Sequence, residues 1–163
     1  MPGRPPLSRR LLVALAVLTT AACTADTPAP PATGPVDVPL QATSVPDSVR
    51  ASCAALLAAL PDEIDPGVRR RPVTGEADRV AAWGDPAVTL ECGVPEPDRP
   101  DQPAQVNGVT WSVRDIGAGF RWTTSEFGVF VAVDIPDAYE SGAELVNPLA
   151  GPLQATLPLV GLG

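Results

Sequence analysis

The chain has three cysteines and no histidine, and this combination limits its fold more than any other feature of the sequence. Cys53 and Cys92 lie in the central part of the chain, whereas Cys23 lies close to the N-terminus. If Cys23 is used elsewhere, the remaining pair forms a disulfide in an oxidising compartment. The sequence therefore predicts a Cys53–Cys92 disulfide, which closes a loop of about 40 residues and stabilises the folded state by about 4 kcal/mol.

The first 22 residues have the order of segments found in an export signal. Three arginines precede an uninterrupted apolar run at residues 11–18, and residues 19–22 carry small side chains. The apolar run is too short to cross a bilayer, since a spanning helix takes about 20 residues. We therefore predict that residues 1–22 are a signal peptide, exported by the general secretory or the twin-arginine route.

Cys23 directly follows Thr20-Ala21-Ala22, and this order resembles the lipobox of bacterial lipoproteins. Lipoboxes usually have an aliphatic residue where this chain has Thr20, so ordinary cleavage nearby and release of an unanchored protein is the alternative. In a lipoprotein, Cys23 becomes the N-terminus and carries acyl chains such as palmitate, and each buried methylene contributes about 0.8 kcal/mol to membrane binding. The expected location is the extracytoplasmic face of the cell membrane, where the lipid anchors the protein.

Composition divides the rest of the chain into a linker and one globular domain. Residues 24–39 include five prolines and few apolar side chains, so they cannot bury enough surface to offset the entropy of ordering. We therefore assign residues 23–39 to a lipid anchor and proline-rich linker, and residues 40–163 to a single domain. About 120 residues are enough to build one hydrophobic core.

Acidic side chains outnumber basic ones, and every basic residue is an arginine. The net charge is -8, and removal of residues 1–22 takes away three arginines and no acid, which gives -11. This charge argues against nucleic-acid binding, because nucleic acids attract basic surfaces. The absence of histidine excludes imidazole catalysis and imidazole metal ligation. The sequence has no motif for a phosphate, a dinucleotide or zinc, and it predicts neither a metal site nor a cofactor.

The apolar spacing of residues 47–60 predicts an amphipathic helix with Cys53 on its inward side. A second helix is predicted to begin at Asn147, with Pro148 in its first turn. Runs typical of β-strands occur at residues 69–74, 87–94, 109–116, 120–124 and 129–135. The polar, proline-rich residues 95–103 are predicted to form a loop. This order indicates an α+β fold, with an antiparallel sheet of four to five strands and two helices packed on one face.

Several short motifs follow one another through the predicted domain. They are Cys53 with Leu60-Pro61, Arg70-Arg71, Ala82-Trp83-Gly84-Asp85-Pro86, Leu90-Glu91-Cys92-Gly93-Val94, and Asn107-Gly108-Val109 with Trp111. Together they resemble a family of small actinobacterial lipoproteins catalogued as domain of unknown function 3515. The resemblance covers residues 44–158, and it implies an exported, anchored domain without an assigned activity.

Two of these motifs contain the candidate binding residues. Trp83 and Asp85 place an aromatic ring and a carboxylate at one turn, and Arg70 and Arg71 could pair with an anionic partner. A structural role is the favoured interpretation for both pairs. Trp83 would pack in the core while Asp85 bonds the turn backbone, and the two arginines would form a solvated strand edge balanced by nearby acids. No residue is predicted to be catalytic.

The sequence indicates a cell-envelope protein that works without catalysis, as a binding or accessory domain for an envelope protein or wall component. The reason for this hypothesis is that the sequence shows no recognisable set of catalytic residues. One alternative is a small hydrolase that holds two carboxylates about 5–10 Å apart in a cleft. Another is a carrier of a hydrophobic envelope molecule, with a cavity of at least about 300 Å³ lined by residues such as Trp111, Trp122 and Phe130.

Intact-mass analysis of the native protein tests the assignment of the three cysteines. We expect a product that begins at Cys23 and carries acyl chains, with no free thiol because Cys53 and Cys92 are oxidised. An unmodified start, or two free thiols after export, would contradict the assignment.

Overall fold

A computed structural model describes residue 1, residues 34–98 and residues 102–160 of the chain. The strands are β1 (Val36–Asp37), β2 (Arg70–Arg71), β3 (Val73–Thr74), β4 (Val80–Trp83), β5 (Val88–Val94), β6 (Gln102–Val106), β7 (Val109–Asp115), β8 (Gly119–Thr124) and β9 (Phe130–Pro136). The helices are α1 (Asp47–Ala59), α2 (Gly142–Val146) and α3 (Ala150–Thr156), and a 3₁₀ turn, Asn147–Leu149, joins α2 to α3. The predicted α+β class is confirmed, with two helical segments beside a large antiparallel sheet.

The main sheet has seven strands in the order β2-β4-β5-β9-β8-β7-β6. The prediction of four to five strands is too low, because it missed β4 and β6. All four residues of β4 are buried, so its sequence lacks the polar alternation of a half-buried strand. β6 overlaps the predicted loop and contains Pro103, which a sheet accepts only at an edge where the proline nitrogen faces solvent. The opposite edge, β2, is only two residues long.

The predicted strand at residues 69–74 is divided at Pro72 into two strands that belong to different sheets. β2 pairs with β4 at the edge of the main sheet, whereas β3 pairs in parallel with β1. Pro72 has no backbone N–H to donate, but its carbonyl oxygen accepts a hydrogen bond from the Val36 N–H at 2.8 Å. Residues 34–39, which composition assigned to the linker, thus include a strand that pairs with the domain.

The second helical segment begins earlier than the predicted start at Asn147. α2 is capped by Ser141, whose hydroxyl oxygen accepts a hydrogen bond from the Glu144 N–H at 3.4 Å. Serine followed by glutamate three residues later is the spacing of a capping box, and it marks the start better than the Asn-Pro pair. Pro148 lies instead in the 3₁₀ turn, through which the helical path continues into α3.

One hydrophobic core lies between the sheet and the helical segments. Leu56 of α1 and Leu153 of α3 pack there against side chains of β4, β5, β7 and β9. Cys53 of α1 and Cys92 of β5 form the predicted disulfide inside this core, with no exposed surface and with their Cα atoms 5.6 Å apart. The disulfide therefore joins the first helix to a strand near the middle of the sheet.

The chain enters the domain along the sheet face opposite to the helices, through residues 34–42, which we call the entry strap. Successive side chains of a strand point to opposite faces, so Glu91 points away from the disulfide of Cys92. The Glu91 carboxylate accepts hydrogen bonds from the backbone N–H groups of Gln41 at 2.9 Å and of Ala42 at 3.3 Å. The entry strap is therefore held against β5 on the face that the helices leave open.

A buried arginine completes this attachment. Arg79 has no exposed surface, and its guanidinium lies 2.9 Å from the Glu76 carboxylate and 3.4 Å from that of Glu91. It also donates hydrogen bonds to the carbonyl oxygens of Ala42 and Cys92, so each of its nitrogens has a partner. Removal of Arg79 would leave the buried Glu91 without an ion-pair partner, and removal of Glu91 would leave Arg79 with only the more exposed Glu76.

Replacement of Glu91 tests the importance of this pair. We expect Glu91→Ala to lower the free energy of unfolding by about 3–5 kcal/mol, since it breaks a buried ion pair and removes the acceptor of the Gln41 and Ala42 N–H groups. Urea denaturation measures the change. The control is Glu96→Ala, which removes an exposed carboxylate from the same region and should change stability by less than about 0.5 kcal/mol. Equal unfolding midpoints for the two variants would refute the interpretation.

Candidate functional site

The fold uses Trp83 as a core residue. Its indole ring has no exposed surface, and its Nε1–H donates a hydrogen bond to the Pro61 carbonyl oxygen at 3.0 Å. Arg70 lies over the ring, with the guanidinium carbon 4.9 Å from the ring centroid. Burial against this ring lowers the pKa of Arg70 from its ordinary value, and the charge of Asp62 opposes that change. Trp83 and Arg70 are thus partners of each other, with contacts made inside the domain.

Arg71 connects the entry strap to the turn that follows β4. Its guanidinium donates hydrogen bonds to the carbonyl oxygens of Gly84 at 2.9 Å and of Gly34 at 2.8 Å. The Asp85 carboxylate, which is partly exposed, lies 3.9 Å from the same guanidinium. The structure therefore brings the four candidate residues Arg70, Arg71, Trp83 and Asp85 together at one corner of the sheet. The hydrogen bonds of Arg71 are made to the protein's own backbone.

The same turn also positions Tyr139, which the sequence analysis did not single out. The Tyr139 hydroxyl donates a hydrogen bond to the Pro86 carbonyl oxygen at 2.7 Å. Gly84 has a φ of +69°, and a Cβ atom there would collide with the Tyr139 hydroxyl and come within 2.9 Å of a Val68 methyl group. Glycine is thus needed at position 84 for both its backbone conformation and this close approach.

Tyr139 forms one wall of an open cleft of about 290 Å³, which we call the aromatic cleft. It lies on the helix side of the sheet, where β7, β8 and β9 extend beyond the N-terminus of α2. Its lining residues are Val113, Phe120, Trp122, Ile135, Pro136, Asp137, Tyr139, Glu140 and Gly142. Three aromatic rings and two carboxylates therefore surround one space.

The rings of the aromatic cleft differ in how the fold holds them. Trp122 is half-buried and packs edge-on against the fully buried Trp111, with ring centroids 6.3 Å apart and an interplanar angle of 72°. Gly142 lets α2 approach this ring, because a Cβ atom there would lie 2.7 Å from the Trp122 Nε1. Phe120 lies farther out and is 46% exposed. The cleft thus has one fixed aromatic wall and one aromatic residue open to solvent.

Negative charge lies at the edge of the aromatic cleft. Asp137 and Glu140 are exposed, and none of the lining residues is basic. Burial raises the pKa of Tyr139 above its ordinary value, and the nearby charge of Asp85 adds to the increase. The hydroxyl of Tyr139 is therefore held in its neutral, hydrogen-bonding form.

Two further clefts each have three acidic residues in their lining. One, of about 550 Å³, includes Glu63, Asp65 and Glu144 in its lining, and the other, of about 200 Å³, includes Asp65, Glu140 and Glu144. The Glu63 carboxylate accepts a hydrogen bond from the Gly67 N–H at 2.6 Å, which stabilises its own turn. Within residues 34–98 and 102–160, no group of three or more acidic or cysteine side chains is arranged to hold a metal ion.

The three aromatic residues named for a carrier cavity do not line one space. Trp111 is fully buried in the core, and Trp122 lines the aromatic cleft. Phe130 lies on the opposite sheet face. There it lines a groove of about 260 Å³, together with Ala42 of the entry strap and Val49 of α1. The geometry therefore gives a carrier no shared pocket formed by these three rings.

The proposed anchor lies outside the part of the chain that the structure describes. Apart from Met1, the predicted signal peptide, Cys23 and the linker up to residue 33 are not described. Among the described residues, no helix combines the length and the apolar character that crossing a bilayer requires. Lipid attachment at Cys23 stays a prediction from the sequence.

Comparison with known protein families gives one result. Residues 9–161 match the family model described as "Protein of unknown function (DUF3515)". The chain belongs to this family. The match confirms the assignment to domain of unknown function 3515 and extends beyond residues 44–158 at both ends. That the protein is an actinobacterial lipoprotein stays a prediction from the sequence. No curated protein and no solved structure matches the chain. Because the DUF3515 family carries no activity in its description, its function has to be argued from the geometry of this domain.

Titration of the single tyrosine tests the environment of the aromatic cleft. We expect Tyr139 in the folded protein to ionise above its ordinary pKa of 10.0, followed by the near-ultraviolet absorbance of the phenolate. The folded state holds this proton more tightly than the unfolded chain. Stability that depends on the neutral phenol is therefore full below pH 10.0 and is lost as the pH rises through the folded pKa.

Two comparisons make the titration decisive. The same chain unfolded in urea should ionise at the ordinary value, and Asp85→Asn should reduce the upward displacement, because it removes a nearby negative charge. A folded protein that titrates at or below the ordinary value would contradict the described position of Tyr139.

Proposed function

We propose that this DUF3515 protein is an exported, lipid-anchored envelope protein whose domain binds a partner protein through the aromatic cleft, without catalysis. The observation that carries the proposal is the exposure of Phe120 beside Trp122 and Tyr139 in a cleft of about 290 Å³. Folded proteins mostly bury large aromatic side chains, and an exposed group of them marks an interaction site. Aromatic residues also contribute most of the binding energy at protein interfaces.

The position of the entry strap favours a partner at the membrane. Ten residues separate Cys23 from Gly34, so a fully extended segment spans at most about 40 Å. Gly34 is bonded to Arg71, and Arg71 is bonded to the turn that Tyr139 contacts. The aromatic cleft thus lies next to the point where the anchored chain enters the domain, and a lipid at Cys23 would keep it near the bilayer.

The hydrolase alternative would depend on the acidic clefts instead. It would require two carboxylates, such as those of Asp65 and Glu144, to lie about 5–10 Å apart on either side of a bound substrate. We favour binding because three aromatic rings line the aromatic cleft, whereas the lining of the cleft of about 550 Å³ includes none.

Site-directed crosslinking in intact cells tests the proposed function. A photoreactive amino acid in place of Phe120 should form an adduct with an envelope protein, because this position lies at the open side of the cleft. The same group in place of the exposed Gln105 of β6 should form no such adduct, because Gln105 pairs with Thr110 and lies on the opposite sheet face. Identical adducts at both positions, or none at position 120, would reject the proposal.

Two variants separate the parts of this proposal. Cys23→Ser should release the protein from the membrane, and failure to do so would reject lipid anchoring. Turnover of a wall-derived or ester substrate that is abolished by Glu144→Gln would replace binding with hydrolysis.

A further inference from the structure

In the part of the chain that the structure describes, the carboxylates of the aromatic cleft have no arginine partner, because the described arginines are engaged elsewhere. The chain has no lysine and no histidine, so arginine is its source of positive side chains. Among the described residues, no arginine forms an ion pair with Asp137 or Glu140. Both side chains are exposed at the cleft.

The arginines of the neighbouring strands are turned away from the aromatic cleft. Arg121 alternates with Trp122 along β8, so it lies on the opposite sheet face, where it pairs with Asp134 through two hydrogen bonds of 2.6 Å. Arg114 of β7 lies on that face as well and contacts Asp98 at 3.1 Å. These arginines cannot neutralise the cleft without losing their own partners.

The remaining described arginines are engaged elsewhere in the fold. Arg50 pairs with Glu76 and Asp78, and Arg79 pairs with Glu76 and Glu91. Arg69 pairs with Glu63. Arg70 lies over the Trp83 ring, and Arg71 donates hydrogen bonds to backbone carbonyl groups. Within residues 34–98 and 102–160, every arginine is thus engaged away from the aromatic cleft, and a bound partner can supply the positive charge that these residues do not.

We propose that the aromatic cleft recognises an arginine or lysine side chain of the partner protein, next to an apolar residue; this inference rests on the proposed function. The cation lies over the rings of Phe120, Trp122 and Tyr139, whose faces attract positive charge, and is within reach of Asp137 and Glu140. The apolar neighbour covers Val113 and the exposed part of Phe120. A volume of about 290 Å³ is near the lower end for ligand pockets, which suits one or two side chains.

The charge of the cleft decides between the possible classes of partner. Anionic lipid headgroups would meet Asp137 and Glu140 and would be repelled. A neutral glycan could stack on the rings but would leave both carboxylates without a counter-charge. A basic, partly apolar segment of a protein satisfies the rings and the carboxylates together.

Binding of matched peptides to the exported, oxidised protein tests the inference. The probes are the acetylated tripeptide amide leucyl-arginyl-leucine and the same peptide with citrulline, which keeps the shape of arginine but has no charge. We expect the arginine peptide to bind about tenfold more tightly, as judged by Trp122 fluorescence. Trp83 and Trp111 are fully buried, so the half-buried Trp122 is the indole that responds to a ligand in the cleft.

The carboxylates are tested with matched double variants. Asp137→Asn with Glu140→Gln should lower the affinity for the arginine peptide about tenfold. The affinity for the citrulline peptide should stay unchanged. The control is Asp62→Asn with Glu96→Gln, which removes the same net charge from exposed positions outside the cleft. An equal loss in both double variants would mean general attraction to an acidic protein and would overturn the inference.

The ionisation of Tyr139 gives an independent signal. A bound cation should lower the pKa of this tyrosine relative to the free protein, whereas an uncharged apolar ligand would raise it further by burial. Equal affinities for the two peptides, or no binding of either, would overturn the inference. The proposed function would survive that result if crosslinking at position 120 persists in the Asp137→Asn, Glu140→Gln variant. It would fail separately if the protein with both carboxylates intact forms no crosslink at position 120.

Discussion

The buried pair of Arg79 and Glu91 holds together the parts of this domain that are far apart in the sequence. Arg79 comes directly before β4, Glu91 lies in β5, and their shared partners include the backbone of Ala42 in the entry strap. Burial of two charges is costly unless their hydrogen bonds are complete, and here each guanidinium nitrogen has an acceptor. An apolar replacement could fill the same space, but it would offer no acceptor or donor to the strap backbone.

This pair and the disulfide act on the same strand from opposite sides. Glu91 and Cys92 are neighbours, so their side chains point to the two faces of β5. Cys92 binds α1 on the helix side, and Glu91 binds the entry strap on the other side. β5, near the centre of the sheet, is thereby linked to α1 and to the entry strap. Trp83 and Arg71 extend these connections to the corner where the aromatic cleft begins.

The sequence was sufficient to predict the disulfide, the inward side of α1 and the strands β7, β8 and β9. Helices and half-buried strands show up as a local spacing of apolar residues, and the disulfide follows from the number of cysteines. Both can be read without a structure. β4 and β6 could not, because one is buried on both faces and the other carries Pro103 and glutamines. The start of α2 has a readable signal in the capping-box spacing of Ser141 and Glu144, whereas the Asn147-Pro148 pair predicts a start that is too late.

The aromatic cleft was less predictable than the fold. Trp122 and Phe120 are visible as alternating residues of one strand, but the cleft also needs Gly142, at the start of α2, to approach the Trp122 ring. Tyr139 becomes a wall because Gly84 permits its hydroxyl to approach, which is a contact across more than fifty positions. Trp83, Asp85, Arg70 and Arg71 were more conspicuous in the sequence, yet their contacts support this corner of the fold.

The two edges of the main sheet have a consequence for how molecules can associate with this domain. One edge is the two-residue β2, and the other is β6, where Pro103 removes an outward donor. Neither offers the long row of free amide groups that would let an extended peptide, or a neighbouring copy, continue the sheet by strand addition. Copies concentrated on a surface are thus protected from joining edge to edge, and recognition is left to side chains.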